Sequence, residues 1–183
     1  MNSLSSFLVK IANWQTLLIF FLLDISFTAY FLPKSFQSNV PIADQNLPIL
    51  DLQFTYNPEN VKSIVAMFKG EAKEAAIKTH VITDSIYPVV YFFFFSICLS
   101  LVFYKWKIQP WFKWINILPL GILIFDYLEN NMIVSMLNKY PNIGEMATYC
   151  SFFTMIKWAF SAITLGLLLA GIISNLLKTS GKK

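Results

Sequence analysis

The chain has 183 residues, of which 56% are apolar and 13% are charged, and its net charge is +4. Soluble domains carry about a quarter of charged residues, so this composition excludes an ordinary soluble fold and is typical of a membrane protein. All of the positive charge comes from lysine. Because arginine makes many of the base-reading and phosphate-binding contacts in nucleic-acid complexes, we expect no nucleic-acid partner.

Four apolar runs are each long enough to cross the hydrocarbon core of a bilayer, which takes about 20 helical residues. The predicted spans cover residues 14–32, 85–104, 114–137 and 148–177. They predict an all-α, integral membrane four-helix bundle that forms a single domain over residues 1–183. The first run resembles a signal peptide, but Asp24 in its middle and the lack of a clear small-residue cleavage site indicate a retained span.

The segment between the first two spans, residues 33–84, is the only long loop. At its centre Asn57 suits a helix N-cap, Pro58 the first helical position and Glu59 the acidic first turn. The apolar stripe of this helix would consist of Ile64, Val65 and Phe68. We therefore expect a short extracytoplasmic amphipathic helix that lies on the membrane surface or caps the bundle and ends at Gly70.

Three further features predict how the spans are built and packed. The second span should continue outward from Glu71 as one long helix, with a kink at Pro88. The phenylalanine run at residues 92–95 should face lipid. Gly166 and Gly171 should let neighbouring helices approach closely, because small residues favour close packing in membranes.

Lysines near the span ends predict the orientation, because short cytoplasmic loops are enriched in lysine. The loop between spans two and three carries three lysines, the C-terminal tail carries three, and Lys10 precedes the first span. Lys139 stands alone between spans three and four. We therefore expect both termini on the cytoplasmic side of the cell membrane and the long loop on the opposite side.

Four ionisable residues fall inside the predicted spans: Asp24, Asp126, Glu129 and Lys157. At 1.5 Å per residue, all four lie in the middle or outer-middle layer of a core about 30 Å thick. Asp126, Glu129 and Asn130 share one helix face because they are three and four residues apart. Three helices therefore present charge at a similar depth.

A second polar stripe runs down span two at helical spacing. It consists of His80, Asp84, Tyr87 and Tyr91. This stripe should lead from the outer surface toward the level of the buried charges. His80 is the sole histidine, and Cys98 and Cys150 form no CxxC pair, so we expect no metal site and no cofactor.

Each buried charge needs either an oppositely charged partner or a functional role that justifies its cost, because hydrocarbon cannot solvate it. In a purely structural interpretation, Lys157 neutralises Asp126 or Glu129 and fixes the helix register. In a chemical interpretation, three acids against one lysine leave excess negative charge, so one carboxyl carries a proton or a cationic group binds. Asp126, Glu129 and Lys157 are then candidate catalytic residues. The candidate ligand-binding residues are Asp24, Asn130, His80, Asp84, Tyr87 and Tyr91.

Several short segments carry a resemblance to known membrane proteins. They are residues 56–61 (YNPENV), 84–88 (DSIYP), 118–119 (LP), 125–130 (FDYLEN) and 157–158 (KW). In this order they resemble an uncharacterised bacterial family of small four-helix membrane proteins, over most of the chain. The layout is also loosely similar to the EXPERA group, which includes the sterol isomerase that binds emopamil. That similarity of architecture implies acidic residues inside a bundle that handle an apolar substrate, and it supplies no matching motif.

Three functions are compatible with these features. The first is binding or conversion of an apolar lipid- or isoprenoid-like molecule at the acid–lysine cluster. The alternative is a structural or accessory subunit of a larger membrane complex. A proton-coupled transporter is a third possibility, which four spans without an inverted repeat disfavour. The expected partners are membrane lipids, with either a small apolar ligand or a membrane protein.

Overall fold

The computed structural model describes residues 3–34, 58–106 and 114–180, and the regular elements in these ranges are all helices. In chain order they are α1 Ser3–Ile11, α2 Trp14–Lys34, α3 Pro58–Met67, α4 Gly70–Lys105, α5 Ile115–Lys139 and α6 Met146–Ser180. Helices α2 and α4 include π-helical turns, at Phe27–Phe31, Thr79–Thr83 and Leu101–Lys105. Helix α5 opens with a 3-10 turn at Ile115–Ile117.

Helices α2, α4, α5 and α6 are each long and apolar enough to cross a membrane. The predictions of an all-helical fold and of a multi-pass membrane protein are therefore confirmed. Helix α4 has 36 residues, and at 1.5 Å per residue it is about 54 Å long, so it projects well beyond a core of about 30 Å. The predicted cap Asn57 lies outside the described residues.

The four long helices pack unevenly. Helices α5 and α6 form an antiparallel hairpin with extensive contact, α4 packs against α5, and α2 packs mainly against α4. The ring of Phe20 lies 5.1 Å from that of Phe93, and the ring of Phe21 lies 6.0 Å from that of Phe94. Phe92 is buried. The prediction that this phenylalanine run faces lipid is therefore wrong for Phe92, whereas Phe93 and Phe94 are half-buried against α2.

Helix α3 packs across the ends of α5 and α6, near the short loop that joins them. Val61 and Val65 are fully buried there, and Phe68, just after the helix, is also buried. They belong to an apolar cluster with Ala76, Ile133, Met136, Leu137, Ile143, Ala147 and Cys150. A helix in the segment between the first two spans is confirmed from Pro58 onward, where the described range begins, so its predicted start stays a prediction. Gly70 lies at the break before α4 with φ 51°, a conformation that glycine adopts at little cost.

Helix α1 is absent from the predicted elements, and a buried asparagine attaches it to the bundle. Ser5 Oγ donates to Asn116 Oδ1 at 2.7 Å, and Asn116 Nδ2 donates to the Ser5 carbonyl at 3.1 Å and to Ser100 Oγ at 3.0 Å. These contacts join α1 to α4 and α5. The turn into α2 is fixed by Asn13, whose side chain accepts the Thr16 backbone N–H at 3.0 Å. Thr16 Oγ1 accepts the Asn13 N–H at 3.2 Å, which completes a capping box.

Gly171 and Gly166, both on α6, differ in their surroundings. A Cβ atom added at Gly171 would overlap the Val102 side chain on α4, so the two helices are in close contact there. A Cβ atom at Gly166 would meet no neighbouring atom within 4 Å among the described residues. The predicted close approach is therefore confirmed at Gly171 and wrong at Gly166.

Gly171→Ala should destabilise the protein by about 1–3 kcal/mol, because the buried Val102 side chain cannot yield to the added methyl without disturbing its neighbours. Gly166→Ala is the matched control and should be neutral or slightly stabilising, since alanine favours a helix over glycine by about 1 kcal/mol. The free energy of unfolding would be measured by SDS titration in detergent micelles. Equal destabilisation of the two variants would contradict the packing described.

Candidate functional site

Antiparallel pairing of α5 and α6 brings Asp126, Glu129 and Lys157 together inside the bundle. Lys157 Nζ donates to Asp126 Oδ1 at 2.9 Å and also forms an ion pair with Glu129 Oε2. Thr154 Oγ1 donates to Glu129 Oε1 at 2.6 Å. All four residues are buried, and Glu129 and Thr154 are fully so. We call these four residues the ion cluster.

A second polar group, which we call the histidine branch, consists of His80, Asp84 and Asn130. His80 Nδ1 lies 3.1 Å from Asn130 Oδ1 and 3.3 Å from Asp84 Oδ2. Both neighbours are oxygen acceptors, so with Asn130 in this orientation Nδ1 carries the hydrogen. Asp84 interacts electrostatically with Asp126, and Asn130 follows Glu129 in α5. The histidine branch therefore adjoins the ion cluster.

A third group, which we call the tyrosine branch, leads from the ion cluster to α2 through Tyr91, Tyr87, Thr28 and Asp24. The buried Tyr91 hydroxyl interacts with the Asp126 carboxylate. The rings of Tyr87 and Tyr91 meet edge to face, with centroids 5.2 Å apart. The Tyr87 hydroxyl lies 3.1 Å from Thr28 Oγ1 and interacts with the Asp24 carboxylate.

All nine residues predicted as site candidates therefore belong to one connected polar network, although they do not meet at one point. The three candidate catalytic residues contact one another directly, whereas Asp24 reaches them only through the two tyrosines. Sequence analysis missed Thr154 and Thr28. Helical spacing is the signal that could have found them, since Thr154 precedes Lys157 by three residues and Thr28 follows Asp24 by four.

An apolar groove of about 350 Å³ lies between α2 and α4. It is lined by Trp14, Leu17, Leu18, Phe21, Phe94 and Cys98. Asp24 follows Phe21 by three residues, and Tyr91 precedes Phe94 by three, so polar groups of the tyrosine branch lie about one helical turn beyond the groove on the same two helices.

Negative charge is in excess across the network. Its carboxyl groups are those of Asp24, Asp84, Asp126 and Glu129. Lys157 and, when protonated, His80 are the cations that pair with them within the described residues. Asp24 lies in none of these ion pairs, and Lys34 on the same helix donates instead to Tyr30 Oη at 2.7 Å. In the described part of the chain, no three histidine, cysteine or acidic side chains converge as metal ligands.

Comparison of the chain with protein-family models, with curated proteins and with solved structures gives no match. The resemblance to the bacterial four-helix family and to the EXPERA group therefore stays a prediction from sequence. The function of the network has to be inferred from its own geometry.

Lys157→Met should destabilise the protein by about 3–5 kcal/mol, because it leaves Asp126 and Glu129 buried without their cation. The triple variant Asp126→Asn/Glu129→Gln/Lys157→Met removes all three charges and should recover most of that loss. SDS titration of both proteins would measure the two free energies of unfolding. If Lys157→Met were as stable as the wild type, the ion cluster would not be what holds α5 and α6 together.

Proposed function

We propose that this protein binds an apolar, lipid- or isoprenoid-like molecule in the groove between α2 and α4 and holds its polar group at the tyrosine branch. The observation that carries this proposal is the position of the groove beside the tyrosine branch. Phe21 and Phe94, which line the groove, lie three residues from Asp24 and Tyr91 on the same two helices. Apolar pockets with a few polar groups that fix orientation are typical of small-molecule sites.

The groove suits a ligand that arrives through the membrane. Trp14 is 66% exposed and Leu18 is 56% exposed, so one wall of the groove opens to the surroundings of α2. In a bilayer those surroundings are hydrocarbon, and an apolar molecule would enter sideways without crossing water. Asp24, at the tyrosine branch, lies about 15 Å from either end of α2 at 1.5 Å per residue. A small polar group, such as a hydroxyl, fits this depth better than a phospholipid headgroup, which stays at the interface.

Conversion of the bound molecule would use the ion cluster. Asp126 is the cluster carboxyl that interacts with Tyr91, which lies three residues from Phe94 in the groove. A protonated carboxyl there would donate a proton to an apolar substrate, and a carboxylate would stabilise positive charge that develops on it. Lys157 would set the charge balance between Asp126 and Glu129, its two partners.

A structural or accessory subunit is the second candidate. It is favoured because the charged groups of the ion cluster already contact one another. Lys157 contacts both carboxylates, and Thr154 completes the hydrogen bonding of Glu129. Fully satisfied polar groups of this kind fix helix register without doing chemistry. In that case the protein would carry a stoichiometric protein partner, and the groove would hold only bulk lipid.

The ligand proposal is tested by native mass spectrometry of the protein extracted gently from its own membrane. The wild type should retain an apolar small molecule. Cys98→Trp should lose it, because the larger side chain fills the groove. Leu169→Trp adds the same bulk at an exposed position of α6 outside the groove and should retain the molecule. A protein partner without any small molecule, in all three proteins, would favour the subunit function instead.

We also propose that both termini face the cytoplasm of the cell and that α3 lies on the extracytoplasmic side. In a background of Cys98→Ser and Cys150→Ala, Lys62→Cys on the exposed face of α3 should react with a membrane-impermeant maleimide on intact cells. Lys178→Cys, near the end of α6, should react only after permeabilisation. The reverse pattern would invert the orientation, and the lysine distribution would then have misled the prediction.

A further inference from the structure

The histidine branch takes no part in the groove, and it lies at the edge of the membrane-spanning region. Counted back from Lys105, a hydrocarbon core about 30 Å thick takes about 20 residues of α4 and ends near Ser85. His80 lies roughly five residues beyond that point, or about 7 Å farther out. Its side chain is 10% exposed. The imidazole is therefore partly exposed just beyond the spanning part of α4, on the side that carries α3.

From His80 inward, the next ionisable groups are Asp84 on α4 and Asp126 on α5. The imidazole Nδ1 lies 3.3 Å from Asp84 Oδ2, and the carboxyl of Asp84 interacts with that of Asp126 and with the Tyr91 hydroxyl. Asn130 holds the ring in place from α5 through its 3.1 Å contact with Nδ1. Imidazole and carboxyl groups at such separations are the usual components of proton transfer in proteins.

Two buried polar residues border the step between the two carboxyls, and both are more than nine-tenths buried. Asn130 contacts the same histidine as Asp84 and lies four residues from Asp126 on the same face of α5. The Tyr91 hydroxyl interacts with both Asp84 and Asp126. Asn130 and Tyr91 therefore connect the surroundings of Asp84 with those of Asp126.

Between the ion cluster and the Lys105 end of α4, the helices pack through an apolar cluster and through the hydrogen bonds of Asn116 with Ser5 and Ser100. The apolar cluster consists of Leu99, Val102, Phe103, Ile115 and Leu168. Within the described ranges, this part of the bundle holds no carboxyl or imidazole group. The chain of ionisable groups therefore approaches the ion cluster from the α3 side.

We propose that His80 and Asp84 form the proton path between Asp126 and the water on the α3 side of the membrane. The imidazole first takes a proton from water at Nε2 and becomes an imidazolium, which then passes its Nδ1 proton to the Asp84 carboxylate. Asp84 in turn passes a proton to Asp126. Each proton gained by Asp126 is thus one lost by that water. The inference rests on the proposed function in treating Asp126 as a carboxyl that gains and releases a proton. The ionisable groups that border the path are Asp84, Tyr87, Tyr91, Asp126, Glu129, Lys157 and Asp24.

The test follows protonation of Asp126 in the full chain in lipid nanodiscs, by the carboxyl C=O stretch in time-resolved infrared spectra after a pH jump. The Asp126 band is identified by its loss in Asp126→Asn. His80→Gln should slow its appearance by at least roughly tenfold, since a positioned acid–base group contributes about 10²–10⁴-fold to a proton transfer. Added imidazole should restore the rate, which a merely structural role of His80 would not allow. Lys78→Gln, an exposed charge change two residues away on α4, is the control and should leave the rate unchanged.

Two measurements keep the inference testable if His80→Gln fails to fold. Asp84→Asn should slow the same step, and in vesicles of the wild type a pH jump on the α3 side should protonate Asp126 faster than one on the other side. A wild-type rate in folded His80→Gln, or a faster response from the opposite side, would overturn the path. Absence of any Asp126 band at every pH would also overturn it. Retention of a molecule in the groove is decided separately by Cys98→Trp, so either idea can fail while the other stands.

Discussion

The contact of Lys157 with Asp126 and Glu129 is the constraint on which the rest of the bundle depends. Charges inside a membrane are costly unless they are paired, so α5 and α6 can pack only in a register that brings these side chains together. Their register in turn fixes the rotation of α5. That rotation points Asn130 at His80 and lets the Tyr127 hydroxyl donate to the Ser85 carbonyl at 2.7 Å, which aligns α4.

Away from the ion cluster, the helices are held by close packing and by a few buried polar contacts. In lipid there is little hydrophobic driving force between helices, so small residues and interhelical hydrogen bonds decide how closely they approach. Gly171 against Val102 is such a contact between α6 and α4. Asn116 acts similarly for α1, because Ser5 and Ser100 satisfy its side chain on two sides. Helix α3 instead covers an apolar cluster at the end of the α5–α6 hairpin.

The polar network combines a rigid centre with two less constrained branches. At the centre, the lysine and both carboxylates are bonded to one another, which suits a clamp that preserves structure. The tyrosine branch lies next to a groove that opens beside α2, and the histidine branch reaches the edge of the spanning region. Structural and chemical interpretations of the buried charges therefore need not exclude each other. The same clamp that orients the helices also positions Asp126 between the two branches.

Sequence alone determined that this chain is helical and carries four helices able to cross a membrane, because span length and apolar content are local properties. It also predicted a helix after Asn57 in the loop between the first two spans and put Asp126, Glu129 and Lys157 at similar depth, since capping and the helical rise are local too. Only the tertiary structure decided which helices are neighbours and how each is rotated. It separates Asp24 from the ion cluster by two tyrosines, attaches α1 through Asn116 and forms the groove between α2 and α4. These features depend on packing between segments distant in sequence, which the pattern of any single span does not specify.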